Sequence, residues 1–171
     1  MLTLITGGSR SGKSAHALAI ADACPAQRKY FVATAEALDE EMSRRIEHHR
    51  RSRSAEFETI EEPRSLRSAI AALASHADLL VVDCLTLWIS NLMGERLSDE
   101  AILAEADALS EILGGLGFPA IVVTDEVGWG IVPDNSVARR FRDLLGWTNQ
   151  KIARAADQVL LMVAGYPLRL K

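Results

Sequence analysis

Short runs of hydrophobic residues alternate along the chain with longer segments in which hydrophobic residues recur at helical spacing. The runs predict strands at residues 2–5, 30–34, 57–60, 79–83, 119–124 and 159–163. The spaced segments predict helices at 13–23, 38–51, 64–75, 85–93, 98–113 and 135–156. Continuous apolar runs are typical of parallel strands covered on both faces. The alternation therefore predicts an α/β fold, with a mostly parallel sheet, helices on both faces and a possible antiparallel edge strand at 166–170.

The first strand leads into a glycine-rich loop, residues 7–14, with the sequence GGSRSGKS, and an alanine-rich helix follows. This is the pattern G-x-x-x-x-G-K-[ST] in its expected strand–loop–helix context. Glycines let backbone N–H groups point at a phosphate, and the helix that begins near Lys13 directs its positive end at the same anion. Lys13 is predicted to reach the β- and γ-phosphates, and the Ser14 hydroxyl to ligate Mg²⁺. The alternative is a glycine turn that merely resembles the motif.

Polar residues close several of the predicted strands, namely Thr34, Asp83 and the pair Asp125-Glu126. The carboxyl ends of parallel strands meet at one edge of a sheet, so one crevice could collect them. We interpret Asp83 as a carboxylate near the Mg²⁺ that Ser14 holds. The alternative is a turn residue at a strand end, and Asp125-Glu126 could serve the metal instead.

The helix predicted over 38–51 carries two adjacent histidines, His48 and His49. At about 100° per residue, His49 falls on the apolar stripe of this helix and is interpreted as a packed, structural residue. That stripe consists of Leu38, Met42 and Ile46. His48 falls almost opposite, beside Arg44 and Arg51, whose guanidinium groups can hold phosphate oxygens. A neutral imidazole in that position could attack an α-phosphorus, and the alternative is a solvated surface histidine.

Two further features leave their interpretations open. Arg50, Arg51 and Arg53 form either a solvated helix end or a clamp on a polyphosphate, and the pair Glu61-Glu62 could face them or contact a ribose or base edge. The loop 126–134 is more apolar than a plain turn requires. Its Trp129, between two glycines, could cover a flat hydrophobic ligand, or the loop could pack on its own core. Trp88 and Trp147 fall within helical patterns and are predicted to be packing residues.

Composition narrows the function class. The chain has 171 residues, 49% hydrophobic and 25% charged, with a net charge of −4. We expect one domain over 1–171, and the acidic balance argues against nucleic-acid binding. Cys24 and Cys84 have neither metal-ligand spacing nor a disulfide framework, so a cytoplasmic location is expected. No signal peptide precedes the first strand, and no apolar run approaches the roughly 20 residues of a membrane span.

Four stretches, taken together and in this order, resemble one family. They are GGSRSGKS at 7–14, ATAEALDEEMSRRIEHHRR at 33–51, VVDCLTLWISNL at 81–92 and VTDEVGWGIVPDNSVARRFRDLLGWTNQKIA at 123–153. The family is the bifunctional adenosylcobinamide kinase / adenosylcobinamide-phosphate guanylyltransferase of cobalamin biosynthesis, and the resemblance covers nearly the whole chain.

Two alternative functions are a small-molecule kinase in which His48 only binds phosphate, and a nucleotide-gated switch. The missing Asn-Lys-x-Asp guanine signature speaks against the switch.

The resemblance implies a RecA-like P-loop NTPase fold, assembled as a homotrimer. It implies phosphorylation of adenosylcobinamide with ATP or GTP, followed by transfer of GMP from GTP, through a histidine, to adenosylcobinamide phosphate. The guanylylated histidine corresponds to His48, with Lys13 as the second catalytic residue and Ser14 and Asp83 as Mg²⁺ ligands. The implied nucleotide contacts are Gly7, Gly8, Ser9, Arg10, Ser11, Gly12, Lys13, Ser14, Thr34, Ala35, Glu36, His49, Arg50, Arg51, Ser52, Glu61 and Asp83.

Overall fold

A computed structural model describes residues 1–37, 39–51 and 54–171, apart from the side chains of Arg45 and His48. The strands are β1 (Leu2–Gly7), β2 (Lys29–Ala33), β3 (Phe57–Glu61), β4 (Leu79–Asp83), β5 (Ala120–Val123), β6 (Gln158–Val163) and β7 (Tyr166–Arg169). The helices are α1 (Lys13–Ala23), α2 (Glu40–Arg51), α3 (Leu66–Leu73), α4 (Leu85–Gly94), α5 (Asp99–Gly114) and α6 (Ser136–Ala155). Every predicted element is present, with ends that differ by a few residues.

The strands form one sheet in the order β3-β2-β4-β5-β1-β6-β7. All neighbouring pairs are parallel except β6 and β7, which pair antiparallel and put the predicted edge strand at the end of the sheet. β1 lies between β5 and β6, and β4 is the next strand beyond β5. The loops that follow β1, β4 and β5 therefore meet at one edge, as expected for the carboxyl ends of parallel strands.

Helices cover both faces of the sheet because its central strands are apolar on both sides. On one face, α1 packs through small residues such as Ala17 and Ala21 against Ile5, Phe31 and Val81. Side chains from α3, α4, α5 and α6 cover the other face, where they surround Leu4, Val82 and Val122. The mostly parallel sheet with helices on both faces is confirmed.

Local sequence signals set several helix ends. The Ser98 hydroxyl accepts a hydrogen bond from the Ala101 N–H at 3.2 Å, which confirms the predicted start of α5. Asn135 caps α6 in the same way, accepting from the Val137 N–H at 2.8 Å. Helix α4, predicted to end at residue 93, ends one residue later at Gly94.

Of the two tryptophans that lie in helices, one is buried and the other is partly exposed. Trp88 is buried under α3, and its indole N–H donates to the Arg64 carbonyl at 2.7 Å. Trp147 is 47% exposed, so the prediction that it is a packing residue is wrong. It lines a shallow groove with Leu103 of α5, which leaves about half of its surface open to solvent. Within the described residues, none of the helices is both long and apolar enough to cross a bilayer.

Candidate active site

The glycine-rich loop joins the buried strand β1 to the N-terminus of α1. Gly12, the residue before the helix, has φ +96°, in the left-handed region that favours glycine. A Cβ at Gly12 would lie 3.2 Å from the Gly165 Cα, in the turn between β6 and β7. The Gly165 N–H in turn donates to the Ser11 carbonyl at 3.0 Å. The loop is thus supported from outside by the last hairpin of the chain, and its inner side faces a cavity.

That cavity has a volume of about 1240 Å³ and opens between the glycine-rich loop, α2 and the carboxyl ends of β2, β4 and β5. Most of the predicted nucleotide contacts line it. They are Ser9, Arg10, Ser11, Gly12, Lys13, Ser14, Ala35, Glu36, His49, Arg50, Glu61 and Asp83. Four predicted residues, Gly7, Gly8, Thr34 and Arg51, are not among the lining residues. Ser52 and the side chain of His48 lie outside the described residues.

Lys13 is buried at the centre of the cavity floor, with 8% of its surface exposed. Its ammonium donates to the Gly8 carbonyl at 2.7 Å and lies 2.6 Å from Asp125 Oδ1 at the end of β5. The sequence predicts Asp125 only as an alternative metal ligand, whereas the structure places it beside the lysine. The signal that could have found it was a carboxylate directly following a buried strand.

The end of β5 is fixed by the helices on either side of it. The Asp125 N–H donates to the Thr86 hydroxyl of α4 at 2.8 Å, and its carbonyl accepts from the Asn149 amide of α6 at 3.0 Å. Thr124, fully buried, donates its hydroxyl to Asn149 Oδ1 at 2.7 Å. The next residue, Glu126, bonds through its N–H to the Gly7 carbonyl of the loop at 3.0 Å. This network holds the Asp125 backbone in one position relative to the glycine-rich loop.

Thr34 fixes the end of β4 from inside the protein. Its hydroxyl donates to the Cys84 carbonyl at 2.7 Å and accepts from the Cys84 N–H at 2.8 Å. Asp83, just before, lines the cavity across from Ser14. Burial raises the pKa of the Cys84 thiol to about 12, and the Asp83 charge adds to that rise. The thiol therefore stays protonated and is not a nucleophile.

The remaining wall of the cavity is α2. The side of this helix that carries Met42 and Ile46 lines the cavity, and half-buried His49 lies on the same side rather than in either core cluster. Arg44 and Glu47 also line it. The backbone of His48 belongs to this stretch of α2.

Two of the predicted carboxylate contacts are already paired with arginines. Glu36 accepts two hydrogen bonds from the Arg64 guanidinium, at 2.9 and 3.0 Å. Glu61 forms an ion pair with Arg50, which favours the interpretation in which it faces the basic cluster. Arg51 pairs with Glu47, one turn earlier in α2. Arg50 lines the cavity with its charge offset by Glu61, and Arg64 holds the cavity-lining carboxylate of Glu36 in place.

The loop after β5 is exposed rather than packed on its own core. Trp129 is 77% exposed and Ile131 is 98% exposed, with Val132 exposed beside them. The interpretation in which this loop packs on itself is therefore wrong. Its base is anchored, since Glu126 accepts from the Gly128 N–H at 2.7 Å and Arg139 donates to the Pro133 carbonyl at 2.8 Å. The result is an apolar surface that begins directly after Asp125.

A glycine-rich loop at the end of a central parallel strand, with lysine and strand-end carboxylates in one cavity, defines a RecA-like P-loop NTPase. The solved structure of the RadB recombinase has the same fold. It superimposes with a TM-score of 0.50 at 16% sequence identity, over 94% of this chain and 73% of the recombinase chain. At that identity the likeness concerns the fold alone.

The sequence itself identifies the family. The profile of the family described as "Cobinamide kinase / cobinamide phosphate guanyltransferase" matches residues 3–170, and the chain belongs to that family. It is 43% identical to the bifunctional adenosylcobalamin biosynthesis protein CobP of Pseudomonas aeruginosa, over 100% of this chain and 98% of the relative. It is 38% identical to the bifunctional adenosylcobalamin biosynthesis protein CobU of Salmonella typhimurium, over 100% of both chains.

Proposed function

We propose that this enzyme phosphorylates adenosylcobinamide with ATP or GTP and then transfers GMP from GTP to adenosylcobinamide phosphate. The products of the second reaction are adenosylcobinamide-GDP and pyrophosphate. The observation that carries the proposal is the cavity that joins the P-loop to the part of α2 that carries Arg44 and His49, the neighbours of His48 in the helix. Family membership supplies the chemical identity of the acceptor. A single catalytic domain over residues 1–171 performs both reactions.

The triphosphate binds with its β- and γ-phosphates on the P-loop. Backbone N–H groups of residues 8–14, the N-terminus of α1 and the Lys13 ammonium supply positive charge and donors. Ser14 and Asp83, both on the cavity wall, offer a hydroxyl and a carboxylate. This is a fitting oxygen donor set for Mg²⁺, which takes one or two protein ligands and completes its shell with phosphates and water. When bound, the ion would neutralise charge on the phosphates.

The guanylyl transfer proceeds in two displacements. An imidazole nitrogen of His48 attacks the α-phosphorus of GTP, a P–N bond forms, and the P–O bond to pyrophosphate breaks. A phosphate oxygen of adenosylcobinamide phosphate then attacks the same phosphorus, and the P–N bond breaks. A covalent intermediate divides one difficult transfer into two easier steps. Arg44, His49 and Arg50, close to His48 in the helix, line the cavity and supply donors to the phosphates.

The corrinoid acceptor binds over the exposed loop that contains Trp129 and Ile131. The ring system of a corrinoid is large and flat and carries methyl groups as well as polar amide side chains, and an exposed indole between two glycines offers a surface for its apolar parts. The loop leads directly from the phosphate site, so the aminopropanol hydroxyl can reach the γ-phosphate. We further propose that the enzyme is a homotrimer in the cytoplasm.

The covalent step is tested with GTP radiolabelled at the α-phosphate and no acceptor. The wild-type protein should become labelled through an acid-labile, base-stable bond and release pyrophosphate. His48→Ala should abolish labelling, while the matched variant His49→Ala, one residue away, should retain at least part of it. Labelling that persists in His48→Ala would overturn the assignment. Wild-type kinase activity without labelling or pyrophosphate release would instead identify a simple kinase.

The role of the P-loop is tested separately. Lys13→Ala should impair both the kinase reaction and the labelling reaction, because both use the same polyphosphate site. A Lys13→Ala variant with an intact kinase reaction would contradict this assignment.

A further inference from the structure

We propose that Asp125 is the general base of the phosphoryl-transfer step, and that it has no such role in guanylyl transfer. This inference rests on the proposed kinase activity. In that step the acceptor hydroxyl oxygen forms a bond to the γ-phosphorus, and the bond from that phosphorus to the β–γ bridging oxygen breaks. The hydroxyl proton passes to a carboxylate oxygen of Asp125, and the nucleoside diphosphate leaves.

The position of Asp125 follows from its contact with Lys13. Its Oδ1 lies 2.6 Å from the Lys13 ammonium, and its side chain lines the cavity. When Lys13 holds a γ-phosphate oxygen at about 2.8 Å, Asp125 Oδ1 lies no more than about 5.4 Å from that oxygen. A hydroxyl that enters between the two groups can therefore contact both the carboxylate and the phosphoryl group. Proton abstraction requires about 2.6–3.2 Å to the carboxylate, and attack requires about 3–3.5 Å to the phosphorus.

The surroundings of Asp125 keep it in this position. Its backbone is bound on one side by the Thr86 hydroxyl of α4 and on the other by the Asn149 amide of α6. A general base contributes to the rate only when it is held within hydrogen-bond reach of the proton it removes. The chain also leaves Asp125 directly into the exposed apolar loop on which we place the acceptor. Asp125 thus lies at the junction between the phosphate site and the acceptor surface.

The neighbouring carboxylates are committed elsewhere. The Glu126 carboxylate accepts the Gly128 N–H at 2.7 Å and serves its own loop. Asp83 lies at the end of β4, where we place it beside Ser14 as a metal ligand. Of the carboxylates at the ends of β4 and β5 that line the described cavity, Asp125 is therefore the one in contact with the lysine that holds the transferred phosphoryl group.

The two reactions of the enzyme differ in their need for a base. A neutral imidazole nitrogen attacks through its lone pair, and a phosphate acceptor is already ionised, so guanylyl transfer has no hydroxyl proton to remove. In the kinase step, by contrast, the proton of the acceptor hydroxyl has to be removed. A residue that only positioned Lys13 would support both reactions, whereas a base for the hydroxyl would support one of them.

The test compares Asp125→Asn with the wild type in both reactions. The kcat of adenosylcobinamide phosphorylation should fall by about 10²–10⁴-fold, without a rise in KM for the nucleotide. Labelling by α-phosphate-labelled GTP should stay at the wild-type level, which also shows that the variant is folded. Asp107→Asn, the matched loss of one carboxylate on the exposed side of α5 and away from the cavity, should keep its kinase activity. Asp125→Glu, which keeps a carboxylate, should exceed Asp125→Asn in kcat.

Three results would overturn the proposal. An equal loss of kinase activity and labelling would make Asp125 a positioning residue for Lys13, provided that circular dichroism shows a folded variant. A kinase kcat within about threefold of wild type would remove any catalytic role. If Asp125→Asn does not fold, an Asp125→Glu variant that labels normally but lacks kinase activity would also count against the proposal. A wild-type enzyme that does not phosphorylate adenosylcobinamide would refute the proposed function itself.

Discussion

Asn149 of α6 holds the end of β5 through both the oxygen and the nitrogen of its side-chain amide. Its Oδ1 accepts the hydroxyl of fully buried Thr124 at 2.7 Å, and its amide nitrogen donates to the Asp125 carbonyl at 3.0 Å. The substitution Asn149→Ala removes both interactions. It leaves the Thr124 hydroxyl without its acceptor in a site from which water is excluded. The Asp125 carbonyl loses a donor but lies closer to the cavity.

The cost of Asn149→Ala can be estimated from these two losses. A buried hydroxyl left without a partner costs about 1–3 kcal/mol, and a lost hydrogen bond to a partly accessible carbonyl costs about 0.5–1.5 kcal/mol. We therefore expect the free energy of unfolding to fall by about 2–4 kcal/mol. For a chain of this length that corresponds to a decrease in melting temperature of roughly 5–15 °C.

The assay is urea denaturation combined with thermal melting, for a cycle of Asn149→Ala, Thr124→Val and the double variant. Thr124→Val removes the hydroxyl that Asn149→Ala would leave unpaired, so the double variant should be less destabilised than the sum of the single variants. A coupling of about 0.5–3 kcal/mol is expected for residues in direct contact. A fall below about 0.5 kcal/mol for Asn149→Ala, or additive effects in the cycle, would refute the reasoning.

Three further predictions concern stability. The Arg28 guanidinium, by hydrogen bonding to the Asp78 carboxylate, lowers the pKa of Asp78 from 3.8 to about 2. The stability from this pair is present above about pH 4 and is lost as the pH falls towards 2. The difference in melting temperature between wild type and Asp78→Asn should therefore shrink over that range, and a constant difference would contradict the assignment. Trp88→Phe should lower the free energy of unfolding, measured by urea denaturation, by about 2–3 kcal/mol. The same change at the exposed Trp147 should alter it by less than about 0.5 kcal/mol, and equal effects would be inconsistent with the burial described. Ser98→Ala should cost about 1 kcal/mol by the same measurement, and Ser98→Gly only a few tenths; equal losses would exclude a capping role.

The fold could be predicted from the sequence because its determinants are local. Parallel strands buried on both faces appear as continuous apolar runs, and Leu79–Asp83 is one such run. The GGSRSGKS loop fixed the direction of β1 and the edge of the sheet at which ligands gather. Turn and capping residues, such as Ser98, placed helix ends to within a few residues.

What could not be predicted depends on distant parts of the chain. The contact between Lys13 and Asp125 joins residues that are more than a hundred positions apart in the sequence. The two residues are close together only because β1 pairs with β5 in the sheet. Helical spacing marks Trp147 and His49 as apolar-side residues, but it cannot say whether a neighbouring layer exists to cover that side. The side of α6 that carries Trp147 is partly open to solvent, and the side of α2 that carries His49 faces the cavity. Thr34 ends a strand as expected, yet its hydroxyl binds Cys84 inside the protein.

The place of β1 in the sheet bears on how the protein is made. β1 leaves the ribosome before its two neighbours, β5 and β6, which are encoded more than a hundred residues later. The nascent chain must therefore keep a segment that is buried throughout in the native sheet unpaired until those strands have been synthesised. Such exposed segments are prone to aggregate, which makes this strand a natural binding site for chaperones during translation. The phosphate-binding loop likewise gains its backbone hydrogen bond from Gly165 only after the chain has been synthesised as far as the turn between β6 and β7.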